Sequence, residues 1–277
     1  MEEINYRKRG RPRAFSIGMD SRIVQSLDKA LFVLKVVSEG AGLSLSEISN
    51  ISETPVATTY RALITLQKHG MVAFDEISQL WSIDVEAFRI GSTFLAGTNI
   101  VEQARPVMQA LMLETNETVN LGILSEGEVV FLSQVESHQT IRAFFRPGTR
   151  GSIHASGIGK TLFSFRTEKQ ATTLALSLDL VRFTEKTAIS TDQLLKMREE
   201  AIHRGYAIDD EERTIGMRCI AAPIFNNFGE PTAAISISGP TVRIEVDAIR
   251  TIGKKVRNSA DQITRNVGGK PRSFLTE

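Results

Sequence analysis

Between Ser44 and Gly70 the chain has room for a short helix, a tight break and a longer helix, and for nothing larger. Ser44 and Ser46 carry hydroxyls suited to an N-cap, and Leu45, Ile48 and Ile51 follow at helical spacing, which predicts a brief helix with those side chains inward. After Ile51-Ser52-Glu53, Thr54 reads as a cap and Pro55 as the first helical residue, where its missing amide costs nothing. This second helix is expected to reach about His69 and to stop at Gly70. Val56, Tyr60, Leu63 and Leu66 or Gln67 form its expected buried stripe, so that Thr54, Ala57, Thr58, Arg61 and Lys68 point elsewhere.

The flanks narrow what such a pair is for. Upstream, Ile23, Val24, Leu27, Leu31, Leu34 and Val37 recur at three- and four-residue spacing, predicting a support helix with that face inward and an end near Gly40. Downstream, residues 71–74 and 79–83 flank Asp75 to Ser78 as a short hairpin, a wing. A short helix, a tight turn and a second helix with a small, polar and basic outer face fit the major groove of double-stranded DNA. Thr58 and Thr59 are then candidates for base edges or a thymine methyl, and Arg61 and Lys68 for phosphates or a guanine. Taken alone, a helical pair is also an ordinary packing module.

Residues Arg7 to Arg13 mix high positive charge with Gly and Pro and offer nothing to bury, so they are expected to be disordered in the free protein. Arg9 and Arg11 flank Gly10 in the manner of an AT-hook, which lies in a narrow A/T minor groove; the alternative is a solvated tail.

With 277 residues the chain suits two domains, and its formal net charge of only +1 means that any DNA contact must come from local clustering. No run approaches the roughly 18 apolar residues of a membrane span, and the N-terminus is charged where a signal peptide is apolar, which predicts a cytoplasmic protein with no membrane contact. The single cysteine, Cys219, allows no internal disulfide. Neither it nor His69, His138, His154 and His203 stand at metal-ligand spacing, so no metal and no cofactor are expected. An enzyme would need Cys219 as nucleophile and His154 as base, and no local catalytic signature accompanies them.

Beyond the wing, Val85, Phe88 and Phe94-Leu95 are spaced like a further amphipathic helix that would join the domains and bury its stripe against a partner subunit. Another helix is expected from Val101 to Thr115, bent at Pro106. Short strand-like runs follow at 119–124, 129–134 and 140–145, then helices at 157–166, 168–177 and 192–204. Strands 217–226 and 232–238, joined by Asn226 to Glu230, make an expected hairpin, and a helix over about 243–266 closes the chain. This order argues for an α+β domain built on an antiparallel sheet.

Three blocks in this region carry a resemblance: His154 to Lys160, Gly205 to Glu212, and Gly216 to Ile224 together with Ala233 to Gly239. They resemble, in collinear order from about Asp20 to Val267, the bacterial transcriptional regulators of the IclR family. The resemblance implies a basic arm (1–19), a winged helix-turn-helix domain (20–84), a linker helix (85–98) and a GAF-like antiparallel-sheet effector-binding domain (99–270). It further implies a homodimer or a dimer of dimers on palindromic operator DNA, and, from the arm and the 85–95 segment, glyoxylate as the first candidate effector.

A helix starting near Ser156-Gly157 would present unpaired amides and a positive dipole end, and Gly157 with Gly159 would let an anion approach, which suits a small carboxylate or 2-oxo acid. By resemblance the amides are those of Gly157 and Ile158. The family position at Ile158 is often alanine, so the larger side chain narrows the pocket. Resemblance also carries over Asp209, Cys219, Ser236 and Ser238 as polar lining, able to hydrogen-bond a ligand carbonyl or hydroxyl. Each has a plain alternative: a helix cap for Gly157, a small buried hydrophobe for Cys219, a solvent-facing strand for Ser236 and Ser238, a solvated acidic loop for Asp209.

Overall fold

The computed structural model describes residues 23–272, which divide after Ala96 into two compact units. Arg9 and Arg11 lie outside the described residues.

The first unit holds α1 (Gln25–Glu39), α2 (Leu45–Ile51), α3 (Val56–Lys68) and the hairpin of β1 (Val72–Asp75) and β2 (Leu80–Ile83), followed by α4 (Val85–Thr98). A capping box opens α2: the Ser44 hydroxyl accepts from the Glu47 amide, and the Glu47 carboxylate accepts from the Ser44 amide. In the wing, the Asp75 carboxylate accepts from the amides of Ile77 and Ser78 at 2.8 and 3.0 Å, closing the turn. Val33, Val36, Val37, Ile48, Leu63, Val72 and Trp81 form the core between the three helices and the hairpin.

Four expectations need correction here. Thr54 is not the cap of α3, because its hydroxyl donates to the Ser52 carbonyl and the cap position falls on Pro55. The buried stripe of α3 is rotated: Thr59 and Leu63 are buried, while Val56 and Tyr60 are about half exposed. Thr59 tolerates burial because its hydroxyl donates to the Thr54 carbonyl at 3.1 Å. On α1 the core takes Val33, Val36 and Val37, while Leu27 and Leu31, and Ile23 and Val24 just before the helix, stay exposed, as does Ile51 at the end of α2.

The second unit is built on a six-stranded antiparallel sheet in the order β5-β4-β3-β8-β7-β6. Its strands are β3 (Thr118–Ser125), β4 (Glu128–Val135), β5 (Arg150–Gly151), β6 (Ala207–Asp210), β7 (Met217–Phe225) and β8 (Pro231–Pro240). The helices are α5 (Ile100–Thr115), α6 (Gly157–Ser164), α7 (Glu168–Ser177), α8 (Thr191–Arg204) and α9 (Ile249–Asn266). α5 and α9 pack on one face of the sheet, where Ile220, Ala222 and Ile224 of β7 are paired with Ile237, Ile235 and Ala233 of β8. α6 covers the other face, with α8 packed against it, and every residue of α6 is buried.

The run 140–145 is not a strand. Its carbonyls are taken by side chains instead of a ladder: the Arg243 guanidinium donates to the Ile141 carbonyl at 2.8 Å and the Thr118 hydroxyl to the Ala143 carbonyl at 3.1 Å. β4 pairs instead with the two residues of β5. The acidic block beginning at Ala207 is a strand, β6, which places Asp209 opposite Cys219. Among the described residues no helix is long and apolar enough to cross a membrane, and no three His, Cys, Asp or Glu stand close enough to hold a metal ion.

Candidate functional site

On the first unit, the outward side of α3 carries Ala57, Thr58, Arg61 and Lys68, all exposed and free to meet a partner surface. Thr54 and Thr59 do not join them. Thr54 is buried, and Thr59 is fully buried with its hydroxyl turned back onto the chain, so neither reaches a base edge from this helix. Their work is local: the Thr54 carbonyl accepts from both Ser49 at 2.7 Å and Thr59, tying the turn between α2 and α3 to both helices. Ile64, which the sequence reading did not single out, is exposed on the same outward side.

On the second unit, antiparallel pairing lines up a polar row on the face that α6 covers. Asp209 of β6 is opposite Cys219 of β7, Cys219 is opposite Ser238 of β8, and Ser236 is opposite both Ala221 of β7 and Asn120 of β3. Cross-strand partners share a face, so these side chains converge. The Asn120 amide donates to the Ser238 hydroxyl at 3.2 Å, and the Gln134 amide donates to the Asn120 side-chain oxygen at 2.7 Å. Facing this row is the start of α6, where the Ser156 hydroxyl accepts from the Gly159 amide at 3.1 Å. The Lys160 amide closes onto the Ser156 carbonyl, so the first-turn amides left over are those of Gly157 and Ile158.

Row and helix end enclose a cavity of about 130 Å³ lined by Gly157, Ile158, Asp209, Cys219, Ser236 and Ser238. Every ligand residue named from the sequence therefore borders a single space. Glycine is required at the helix start on steric grounds: a Cβ on Gly159 would lie 2.4 Å from the Ile153 carbonyl oxygen. Ile158 belongs at least as much to the core, packing with Val129, Phe131, Leu162, Ala221 and Ala234. The apolar wall comes from Phe131 and Phe145, whose rings stack at 4.5 Å, and Arg213 approaches with its guanidinium 4.4 Å from the Phe183 ring and donating to Ser152 at 3.3 Å.

Electrostatics beneath the cavity involve residues the sequence reading missed. Lys160 and Glu212 form an ion pair at 2.5 Å with both side chains almost wholly buried, and Lys160 also donates to the Ile208 carbonyl. The Glu212 amide donates to the Asp209 carboxylate at 2.9 Å. Burial raises the Asp209 carboxyl above its ordinary value, against the opposing pull of Lys160. Burial also pushes the Cys219 thiol up to about 12, with the Asp209 charge adding to it. A thiol held neutral is no nucleophile at neutral pH, and His154 is turned away, its Nε2 bonded to the Val181 carbonyl at 2.9 Å. One signal for the ion pair was available: a lysine inside a helix with no polar face must find a buried acid. Which acid, 52 residues away, no local pattern shows.

Residues 92–265 match the family described as Bacterial transcriptional regulator IclR C-terminal, and residues 26–76 the IclR helix-turn-helix domain. The chain is 42% identical over 264 residues to the HTH-type transcriptional regulator BhcR of Paracoccus denitrificans, covering 94% of this chain and 95% of that protein. It is 36% identical to the transcriptional repressor IclR of Escherichia coli, over 95% of this chain and 97% of that one. The crystal structure of the Thermotoga maritima IclR superposes with a TM-score of 0.74 at 28% identity, covering 89% of this chain and all of that one.

Proposed function

The chain belongs to the IclR family of bacterial transcriptional regulators, and from that premise we propose that its second unit binds a small carboxylate or 2-oxo acid, glyoxylate first among them, which changes how the protein holds operator DNA. The observation that carries this is the convergence of two free helix-start amides, Gly157 and Ile158, with Asp209, Cys219, Ser236 and Ser238 on one small cavity. Amides at a helix start favour a carboxylate, and the hydroxyls and thiol supply partners for its 2-oxo or hydroxyl oxygen.

DNA is met by Ala57, Thr58, Arg61 and Lys68 of α3, with Arg9 and Arg11 of the arm adding charge in the minor groove. A homodimer, or a dimer of dimers, presents α3 twice to a palindromic operator. The exposed apolar residues Ile23, Val24, Leu27 and Leu31 by α1, and Val85 and Phe88 on α4, support a covering partner. The effector acts by population shift: it must bind one arrangement of the paired helices better than the other, since equal affinity shifts nothing. The protein acts in the cytoplasm, where such metabolites and DNA meet.

The test is binding of the purified full chain to its own upstream region and to random duplex, at physiological salt, with and without glyoxylate, alongside thermal melting. Preference for the upstream region, changed by glyoxylate, together with a raised Tm, is expected. Folded, oligomeric protein with no such preference under either condition overturns the regulatory reading. Preference without any response of Tm or binding overturns the effector half and leaves an architectural DNA binder.

A further inference from the structure

The cavity that would take an anion is underlain by a buried cluster with more acid than base. Asp209 borders the cavity, and its carboxylate is met by the Glu212 amide, with no cation at ion-pair distance among the described residues. Behind it, Glu212 and Lys160 are paired away from water, and the ammonium spends its hydrogen bonds on both Glu212 oxygens and the Ile208 carbonyl. With all groups ionised, two carboxylates face one ammonium.

The surrounding charges cancel in pairs of their own. Asp210 on the same strand is held by Arg218 of β7 and by Lys186, and Lys186 also pairs with Glu211. On α8, which lines the cleft on the far side of Lys160 and Glu212, Glu200 is paired with Arg204. Cys219 of β7 is a neutral thiol. Of the two arginines that line the cavity, Arg150 is paired with Glu126 and Glu128, and Arg213, over Phe183 and on Ser152, keeps its charge but is exposed, so water screens it. Among the buried groups the excess negative charge therefore lies with Asp209 and Glu212.

We propose that Lys160 and Glu212 are a positioning pair that makes effector binding proton-linked: an anionic effector enters together with one proton from solvent, which settles on the Asp209 and Glu212 carboxylates and leaves Lys160 as counter-charge. The inference rests on the effector reading above. A free carboxylic acid is fully ionised at neutral pH, so the acid itself does not carry that proton. Burial supports the site of uptake, because it holds Glu212 near the neutral range, up to about 7, and raises Asp209 as well. Below that range the cluster is already protonated and binding needs no uptake. Above it, each pH unit weakens binding about tenfold, by linkage.

The experiment is calorimetric titration of the full chain with glyoxylate at about pH 6 and about pH 8, each in two buffers of different ionisation heat. Uptake of about one proton per glyoxylate at the higher pH, near none at the lower, with Kd rising about tenfold per unit above neutrality, is expected. Glu212→Gln should abolish the uptake and flatten the profile, a change that a merely structural role for Glu212 would not produce; if that variant does not fold, the proton count on the unmodified chain decides. Equal Kd at both pH values with no buffer-dependent heat overturns this inference alone. No heat from glyoxylate at either pH overturns the effector reading and this inference with it.

Discussion

Gly157 and Cys219 stand so close that a Cβ added to the glycine would lie 3.2 Å from the Cys219 Cβ and 3.3 Å from that of Ala221. Both neighbours sit on β7, held between β8 and β6, and neither can swing aside as a long side chain would. Gly157→Ala gains about 0.5–1 kcal/mol from a less flexible unfolded chain, but overpacking a filled site costs about 1–3 kcal/mol. The expected outcome is a net loss of roughly 1 kcal/mol in urea unfolding, with weaker glyoxylate binding because the anion's seat shrinks. A variant as stable as the parent would show that α6 moves off the sheet freely.

Cys219 gives a chemical check on the cavity floor. A thiol pushed up to about 12 carries almost no thiolate at neutral pH, and thiolate is the reacting form. Iodoacetamide is expected to leave native protein unlabelled over hours at pH 7–8 and to label it within minutes in denaturant, read by mass spectrometry. Rapid native labelling would mean an exposed or activated thiol and a different floor.

The elements of the first unit were legible because capping chemistry and turn residues announce them, as Ser44 with Glu47 and Gly40 do. The phase of α3 was not, because hydrophobic residues were assumed to point inward. Val56, Tyr60 and Ile64 instead lie exposed on α3, the helix proposed to meet DNA, and a threonine takes the buried place. Patterns fail where a surface is kept for a partner. The cavity residues came from family resemblance, since Gly157, Asp209, Cys219 and Ser238 are far apart in sequence and only strand pairing brings them together. β6 was hidden by composition, an Asp-Asp pair ending a strand, in which Asp210 is paired with Arg218 and Lys186 while Asp209 is buried without an ion-pair partner among the described residues.

Thr59 and Arg61, two residues apart on α3, should separate stability from DNA affinity. Thr59→Val deletes a buried hydroxyl, but the Thr54 carbonyl keeps its bond from Ser49, so a loss of about 1 kcal/mol is expected, with operator affinity per folded molecule unchanged. Arg61→Ala removes an exposed cation, leaving stability within about 0.5 kcal/mol. Its operator affinity should fall by about 1–3 kcal/mol if Arg61 reads a guanine, or the salt slope by about 1 per contact if it binds a phosphate. Anisotropy titrations over a salt series measure both. Equal DNA-binding losses in the two variants would contradict the placement of α3's outward face.

Glu212 also sets an expectation for stability against pH. Its carboxyl is raised from 4.5 to about 7 in the folded chain by burial, which outweighs the attraction of Lys160. A group whose folded value is raised contributes stability that is complete below the unfolded value and is lost as pH climbs through the folded one. The contribution is therefore present below about 4.5 and gone above about 7, on the order of 3 kcal/mol in all. Glu212→Gln cannot titrate, so it lacks this slope. Urea unfolding of both proteins across that range should show the parent losing ground to the variant as pH rises, most steeply between 5 and 7. Parallel profiles would mean that the Glu212 carboxylate stays ionised beside Lys160 throughout, and that the buried cluster takes up no proton near neutrality.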